Sequence, residues 1–157
     1  MSQSTEPWSA ARAREVIAKE LQQDGAALPI LNALQRTFGC VPREAVAMIA
    51  EALNLSRADV HGIVTFYHDF RDAPPGRHVL KLCRAEACQS MGADALAEAA
   101  QQKLGARFGE TARDSSVTIE PVYCLGLCAC APSAMIDGKP IGRASLEKIE
   151  KFLGVDA

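Results

Sequence analysis

The sequence predicts an α+β chain, with a helical bundle first and a small α/β domain after it. Three observations carry this. Over residues 1 to about 73 the apolar residues recur every three to four positions, the period of a helix face. The segment APPG, residues 73–76, then breaks the pattern with two prolines and a glycine. Beyond it, short β-branched runs such as SVTIEPV alternate with helical ones. A length of 157 residues accommodates two small domains. They are expected over residues 1–75 and 76–157.

The first helix is placed around Ala13, Val16, Ile17 and Leu21. In LPILNALQRTFG, Pro29 suits a first helical position and Gly39 a stop, so Ile30, Leu31, Leu34 and Phe38 share a face. In PREAVAMIAEALNL, Pro42 opens the helix and Val46, Ile49, Ala50 and Leu53 form the stripe. Ser56 is placed to cap the next helix with Asp59 near its start, and Val60, Ile63, Val64 and Tyr67 line it. Trp8 and the aromatics of TFYHDF are expected in the core of this bundle, with a partner interface open to TFYHDF.

In the second half RHVLKLC reads as a strand and GADALAEAAQQKLG as a helix whose face is Leu96, Ala99, Ala100 and Leu104. SVTIEPVYC is a second strand, and SAMIDGKPIG a hairpin turning at Asp137–Gly138. SLEKIEKFLG closes the chain as a helix capped by Ser145, with Leu146, Ile149, Phe152 and Leu153 inward. The order β-α-β-β-β-α fits a small α/β domain of the thioredoxin kind.

Composition excludes several function classes. Hydrophobic residues make up 48% and charged residues 23%, as in ordinary globular domains. Lys and Arg number 17 against 19 Asp and Glu, a net charge of −2, with no basic stripe for nucleic acid. No run of 18 apolar residues occurs, so direct membrane insertion is not expected. MSQSTEPWSAARAREV lacks the apolar core of a secretory signal, which points to the reducing cytoplasm. Structural disulfides are rare there, so the six cysteines read as metal ligands, redox thiols or packing residues.

Five of the six lie beyond residue 80. Cys83 and Cys88 form C-x4-C at the end of one strand, and Cys124 and Cys128 form C-x3-C at the end of the next. Strand ends of an α/β fold converge, so the two pairs can build one four-thiolate site. Gly92 and Gly126 let the backbone approach a cofactor and aim N–H groups at it, and Pro132 keeps the second loop from continuing as a helix. Four thiolates suit zinc or an iron–sulfur cluster. Zinc favours tight C-x2-C knuckles, since one ion must touch both sulfurs of a pair, whereas the wider spacings suit a two-iron rhombus in which each pair grips its own iron. A structural zinc module for protein binding stays open as an alternative, as do four buried cysteines without metal. No C-x2-C motif supports a thioredoxin-type dithiol.

The segments LPILNALQRTFGCVP, VHGIVTFYHDF, PPGRHVLKLCRAEACQSMGA and CLGLCACAPSAMI, in that order, resemble the thioredoxin-like [2Fe–2S] subunit of NADH dehydrogenase (complex I) and related NAD-linked enzymes. The likeness runs from about residue 14 to 154. It implies a [2Fe–2S] cluster held by Cys83, Cys88, Cys124 and Cys128, with Ala131–Pro132 after the last ligand as in the family. HVLKLCRAEACQSMGAD is most similar to the gamma subunit of soluble, NAD-dependent molybdenum formate dehydrogenases. The partners so implied are a flavoprotein subunit binding FMN and NAD(H) and a molybdenum-containing catalytic subunit, while a complex I or hydrogenase subunit is the alternative.

Four thiolates around a two-iron core make an anionic site, for which a low potential, near about −400 mV in plant-type ferredoxins, is the default. Arg84 is a candidate tuning cation or a solvated surface residue. No P-loop and no G-x-G-x-x-G is present, so no substrate-converting site is expected in this chain. His61 and His68 fall on one expected helix as ordinary polar positions, and His78 opens a strand. Cys40 reads as a small buried hydrophobe, and Cys130 as a packing thiol beside the cluster.

Overall fold

A computed structural model describes residues 5–154; the outer ends of both expected domains, 1–4 and 155–157, lie outside the described residues. These residues fall into two compact units, which part between Pro74 and Pro75.

The first unit holds helices α1 (Ala10–Glu20), α2 (Ala27–Phe38), α3 (Arg43–Leu53) and α4 (Arg57–Phe66). Its core is Val16, Ile17, Ile30, Leu31, Leu34, Phe38, Ile49 and Val60, with Trp8 packed edge-on against Phe38 at 4.9 Å between ring centroids. Helix α2 starts two residues before the expected Pro29, which occupies its third position. Proline costs no hydrogen bond there, because the first four N–H groups of a helix have no intrahelical partner. Gly39 ends α2 at φ 78°, its N–H bonded to the Gln35 carbonyl at 2.8 Å, a conformation that glycine adopts without steric cost.

Helix α4 opens with a reciprocal cap. The Ser56 hydroxyl accepts from the Asp59 N–H at 3.0 Å, and the Asp59 carboxylate accepts from the Ser56 N–H at 3.2 Å. Ser56→Ala is therefore expected to cost about 1 kcal/mol, read as a lower urea midpoint at unchanged slope. The far end of α4 departs from expectation. Of its expected face only Val60 is fully buried; Tyr67 is 42% exposed and Phe66 73% exposed. The helix stops at Phe66, so His68 lies beyond it and shares no helix face with His61.

The second unit is a four-stranded sheet in the order β2-β1-β3-β4, with β1 (His78–Cys83), β2 (Val117–Val122), β3 (Ala134–Ile136) and β4 (Lys139–Ile141). Strands β1 and β2 run parallel, and β3 and β4 are antiparallel to their neighbours. Helices α5 (Glu86–Ser90) and α6 (Ala93–Leu104) link β1 to β2, and α7 (Leu146–Leu153) follows β4. Leu80, Leu82, Val117, Ile119, Ala134, Ile136 and Ile149 form the core, with Ala97 and Ala100 of α6. The expected α6 face is shifted: Ala97 is buried, and Leu96 and Leu104 only partly so. On α7, Ile149 is buried with Leu146 and Leu153 beside it, while Phe152, expected inward, is 51% exposed.

Asp137 turns the β3–β4 hairpin at φ 49°. Its carboxylate bonds His78 Nδ1 at 2.7 Å and the Val79 N–H at 2.9 Å, so His78 ties the strand to the turn and does not simply face solvent.

Candidate functional site

The sheet register gathers the cysteines at one edge. Because β1 and β2 are parallel, they end together, and Cys83 sits opposite Val122. The Arg84 N–H reaches the Val122 carbonyl at 2.7 Å, extending the pairing one residue past the strand. On the other flank the Cys83 N–H bonds the Ser133 carbonyl at 3.1 Å, just before β3. Two loops thus meet there: the one after β1, leading into α5 with Cys88, and the one after β2, which carries Cys124, Cys128 and Ser133. This is the carboxyl end of parallel strands, where open α/β sheets place their ligands.

The thiols are arranged as an inner and an outer pair. Cys83 and Cys88 are each 2% exposed and pack with Ala93, Ala85, Val122, Leu125 and Ala131. Cys124 and Cys128 are exposed, their sulfurs 3.8 Å apart. Two sulfurs bound at about 2.3 Å to one tetrahedral metal are about 3.8 Å apart, so the outer pair has the separation for sharing one iron. Among the described residues no three Cys, His, Asp or Glu side chains meet in the manner of a single-ion site.

Backbone N–H groups point at the sulfurs. The Gly126 N–H lies 3.4 Å from Cys124 Sγ, with Gly126 at φ 75°. The backbone at Ala85 and at Cys124 helps to hold the Cys83 thiol below its ordinary value. Cys124 itself has φ 112°, a region that non-glycine residues enter at a cost and that recurs where a backbone is held for function. Gly92, the other glycine expected to serve the cofactor, instead spends its N–H on the Gln89 carbonyl at 3.0 Å in the α5–α6 turn.

A family model described as thioredoxin-like [2Fe–2S] ferredoxin matches residues 13–155. The chain belongs to this ferredoxin family. Its cofactor is a [2Fe–2S] cluster. Among curated relatives, an NADH-quinone oxidoreductase subunit of Pseudomonas aeruginosa is 34% identical over 128 residues, covering 82% of this chain and 77% of that one. The corresponding subunit of Escherichia coli K12 is 33% identical over 144 residues, covering 89% and 87%. The NADP-reducing hydrogenase subunit HndA of Solidesulfovibrio fructosivorans is 30% identical over 132 residues, covering 84% and 77%. Among solved structures, a chain of an NAD+-reducing [NiFe]-hydrogenase in the H2-reduced state shares the fold, with a TM-score of 0.66 at 24% identity. The match covers 79% of the ferredoxin and 21% of that hydrogenase chain, so the ferredoxin spans about a fifth of its length.

The electrostatics of the site favour a cationic core between the thiols. Burial pushes the Cys83 thiol up, but the bonds from the Ala85 N–H, Cys88, Ser133 and the Cys124 N–H outweigh it and hold Cys83 below the ordinary thiol value. Cys128 is pushed up by its hydrogen bond with Cys124, then by the charge of Cys124, with burial and the charge of Cys88 adding to it. Thiolates this close repel one another, and positive metal between them removes that penalty.

The remaining candidates sort themselves by position. Cys40 is buried in the helical unit, and burial, with the charges of Asp72 and Glu44, pushes its thiol up, as for an inert packing residue. Cys130 ends a single 3-10 turn (Cys128–Cys130), with its Cβ against Gly142. Arg84 is neither freely solvated nor an isolated cation: it pairs with Asp94 at 3.0 Å and lies over the Phe108 ring at 5.4 Å. Sequence reasoning passed over Ser133, whose hydroxyl is 3.4 Å from Cys88 Sγ. The available signal was one hydroxyl in the apolar run APSAMI, on the loop that carries Cys124 and Cys128.

Proposed function

We propose that this ferredoxin is the electron-transfer subunit of a multisubunit NAD-dependent formate dehydrogenase, exchanging single electrons with a flavoprotein subunit that binds FMN and NAD(H). When bound, the [2Fe–2S] cluster supplies one-electron redox chemistry at low potential. Cys83, Cys88, Cys124 and Cys128 would hold it. The carrying observation is the split of the thiols into a buried pair and an exposed pair at one sheet edge. The buried pair anchors the group in an apolar nest, and the exposed pair leaves one side open to a redox partner. The curated relatives are, by name, subunits of larger NAD(P)-linked oxidoreductases, which supports a role as a fixed subunit.

Formate as the substrate of the parent enzyme rests on HVLKLCRAEACQSMGAD, and the molybdenum-containing catalytic subunit comes with that reading. A subunit of an NADH-quinone oxidoreductase or an NAD-linked hydrogenase is the second reading, favoured by the names of those relatives. Among the described residues no helix is long and apolar enough to cross a membrane, and our reading places the complex in the cytoplasm. Native purification with metal analysis tests the assignment. Molybdenum and a flavoprotein in stoichiometric amounts are expected; nickel, or quinone-reductase companions, would overturn the formate assignment.

The helical unit serves as the docking domain in this reading, through the exposed Phe66 and Tyr67, whose rings meet edge-on at 5.1 Å. Phe66→Glu is expected to weaken assembly with the flavoprotein by about 2 kcal/mol or more while leaving the visible spectrum unchanged. Co-purification at several salt concentrations checks it.

A further inference from the structure

We infer that the buried Ser133 hydroxyl donates a hydrogen bond to the ligand sulfur of Cys88 and so raises the reduction potential of the cluster. The inference rests on the four-cysteine ligand assignment above and adds a residue to it. Ser133 is 2% exposed, and Thr118 is the other buried polar residue among those described. The two differ in what their hydroxyls meet. The Thr118 hydroxyl meets the Gly76 N–H at 2.7 Å and the Thr111 hydroxyl at 2.7 Å, ordinary structural partners. The Ser133 hydroxyl instead faces Cys88 Sγ at 3.4 Å.

A ligating cysteine is a thiolate and can only accept, so the shared proton must belong to Ser133. Backbone bonds fix the hydroxyl in place. The Ser133 carbonyl takes the Cys83 N–H at 3.1 Å, and the next residue, Ala134, pairs with Leu82 in the sheet. The side chain is thus held by main-chain structure that survives its replacement. A donor to a ligand sulfur stabilises the reduced, more negative site more than the oxidised one. With the inner sulfurs and the hydroxyl out of water, solvent does not compete for that proton.

The test compares the full-length, cluster-loaded protein with Ser133→Ala and Ser133→Cys, by redox titration followed by electron paramagnetic resonance. Ser133→Ala is expected to disfavour reduction by roughly tenfold, a fall of about 59 mV for one electron. Ser133→Cys, a weaker donor of similar size, is expected to fall in between. In resonance Raman, exchange into D2O should shift the Fe–S(Cys88) stretch more in the wild type than in Ser133→Ala. If Ser133→Ala does not retain cluster, the Cys variant carries the test. An unchanged or raised midpoint in either loaded variant, or a D2O shift of the Fe–S(Cys88) stretch that persists undiminished without the hydroxyl, overturns the inference and leaves the ligand assignment standing. An unaltered cluster in Cys88→Ser removes the ligand assignment itself.

Discussion

Alanine at Cys83, Cys88, Cys124 or Cys128 is expected to leave the chain without a stable [2Fe–2S] cluster, whereas alanine at Cys130 or Cys40 is expected to leave it loaded. Each of the four sits at the sheet edge where the loops after β1 and β2 meet. Within the inner pair the loss is compounded, because the remaining thiolate would be buried among Ala93, Leu125 and Ala131 without its metal. The outer pair is solvent-facing, so a missing sulfur admits water to the iron. Cys130 offers no rescue. Its side chain is pressed toward Gly142, and its carbonyl is held by the Arg143 N–H at 2.6 Å. Iron analysis and visible circular dichroism after anaerobic purification decide the matter, with two irons per chain falling toward none in the four ligand variants. A loaded Cys128→Ala beside an empty Cys130→Ala would invert the assignment within CLGLCAC.

Gly142→Ala is expected to cost about 1–3 kcal/mol and to speed cluster loss, although Gly142 is not a ligand. A Cβ there would stand 2.8 Å from the Cβ of Cys130, closer than real Cβ contacts come. Neither side can retreat freely. Arg143 bonds the Cys130 carbonyl, Ala144 bonds the Pro132 carbonyl at 2.8 Å, and the Lys148 ammonium bonds the Arg143 carbonyl at 2.7 Å. The overlap therefore moves the turn that carries Cys128. Thermal unfolding of the loaded protein and the rate of bleaching under a chelator measure the two effects. A variant with unchanged melting and unchanged bleaching would mean that this clamp does not position the ligand loop.

How much of this was legible in the sequence depends on the range of the interaction. Caps and turns are local, so Ser56 with Asp59, Gly39, Ser145 and the Asp137–Gly138 turn could be read directly. That the strands leading into C-x4-C and C-x3-C end side by side was also legible, since parallel strands in such a fold have few ways to meet. What resisted was everything set by contacts distant in sequence. Tyr67 and Phe152 match the helical period but sit where their helices leave the core, and periodicity carries no information about where a core ends. Helix α5 is five residues long, too short to show a period. Ser133 and Gly142 depend on which loops face one another across the sheet edge. Arg84 reads from the sequence as a tuning cation or a solvated surface residue, because its partners Asp94 and Phe108 lie ten and twenty-four residues further on.

The central claim is that this chain relays single electrons between a flavoprotein and the rest of an NAD-linked enzyme. Anaerobic mixing of the native complex with NADH, followed by freeze-quench electron paramagnetic resonance, tests it most directly. The reduced [2Fe–2S] signal is expected to appear within one turnover in the complex. The same chain separated from the flavoprotein is expected to stay oxidised with NADH and to reduce only with dithionite. Direct reduction of the separated chain by NADH, or a cluster that remains oxidised while the complex turns over, would contradict the claim.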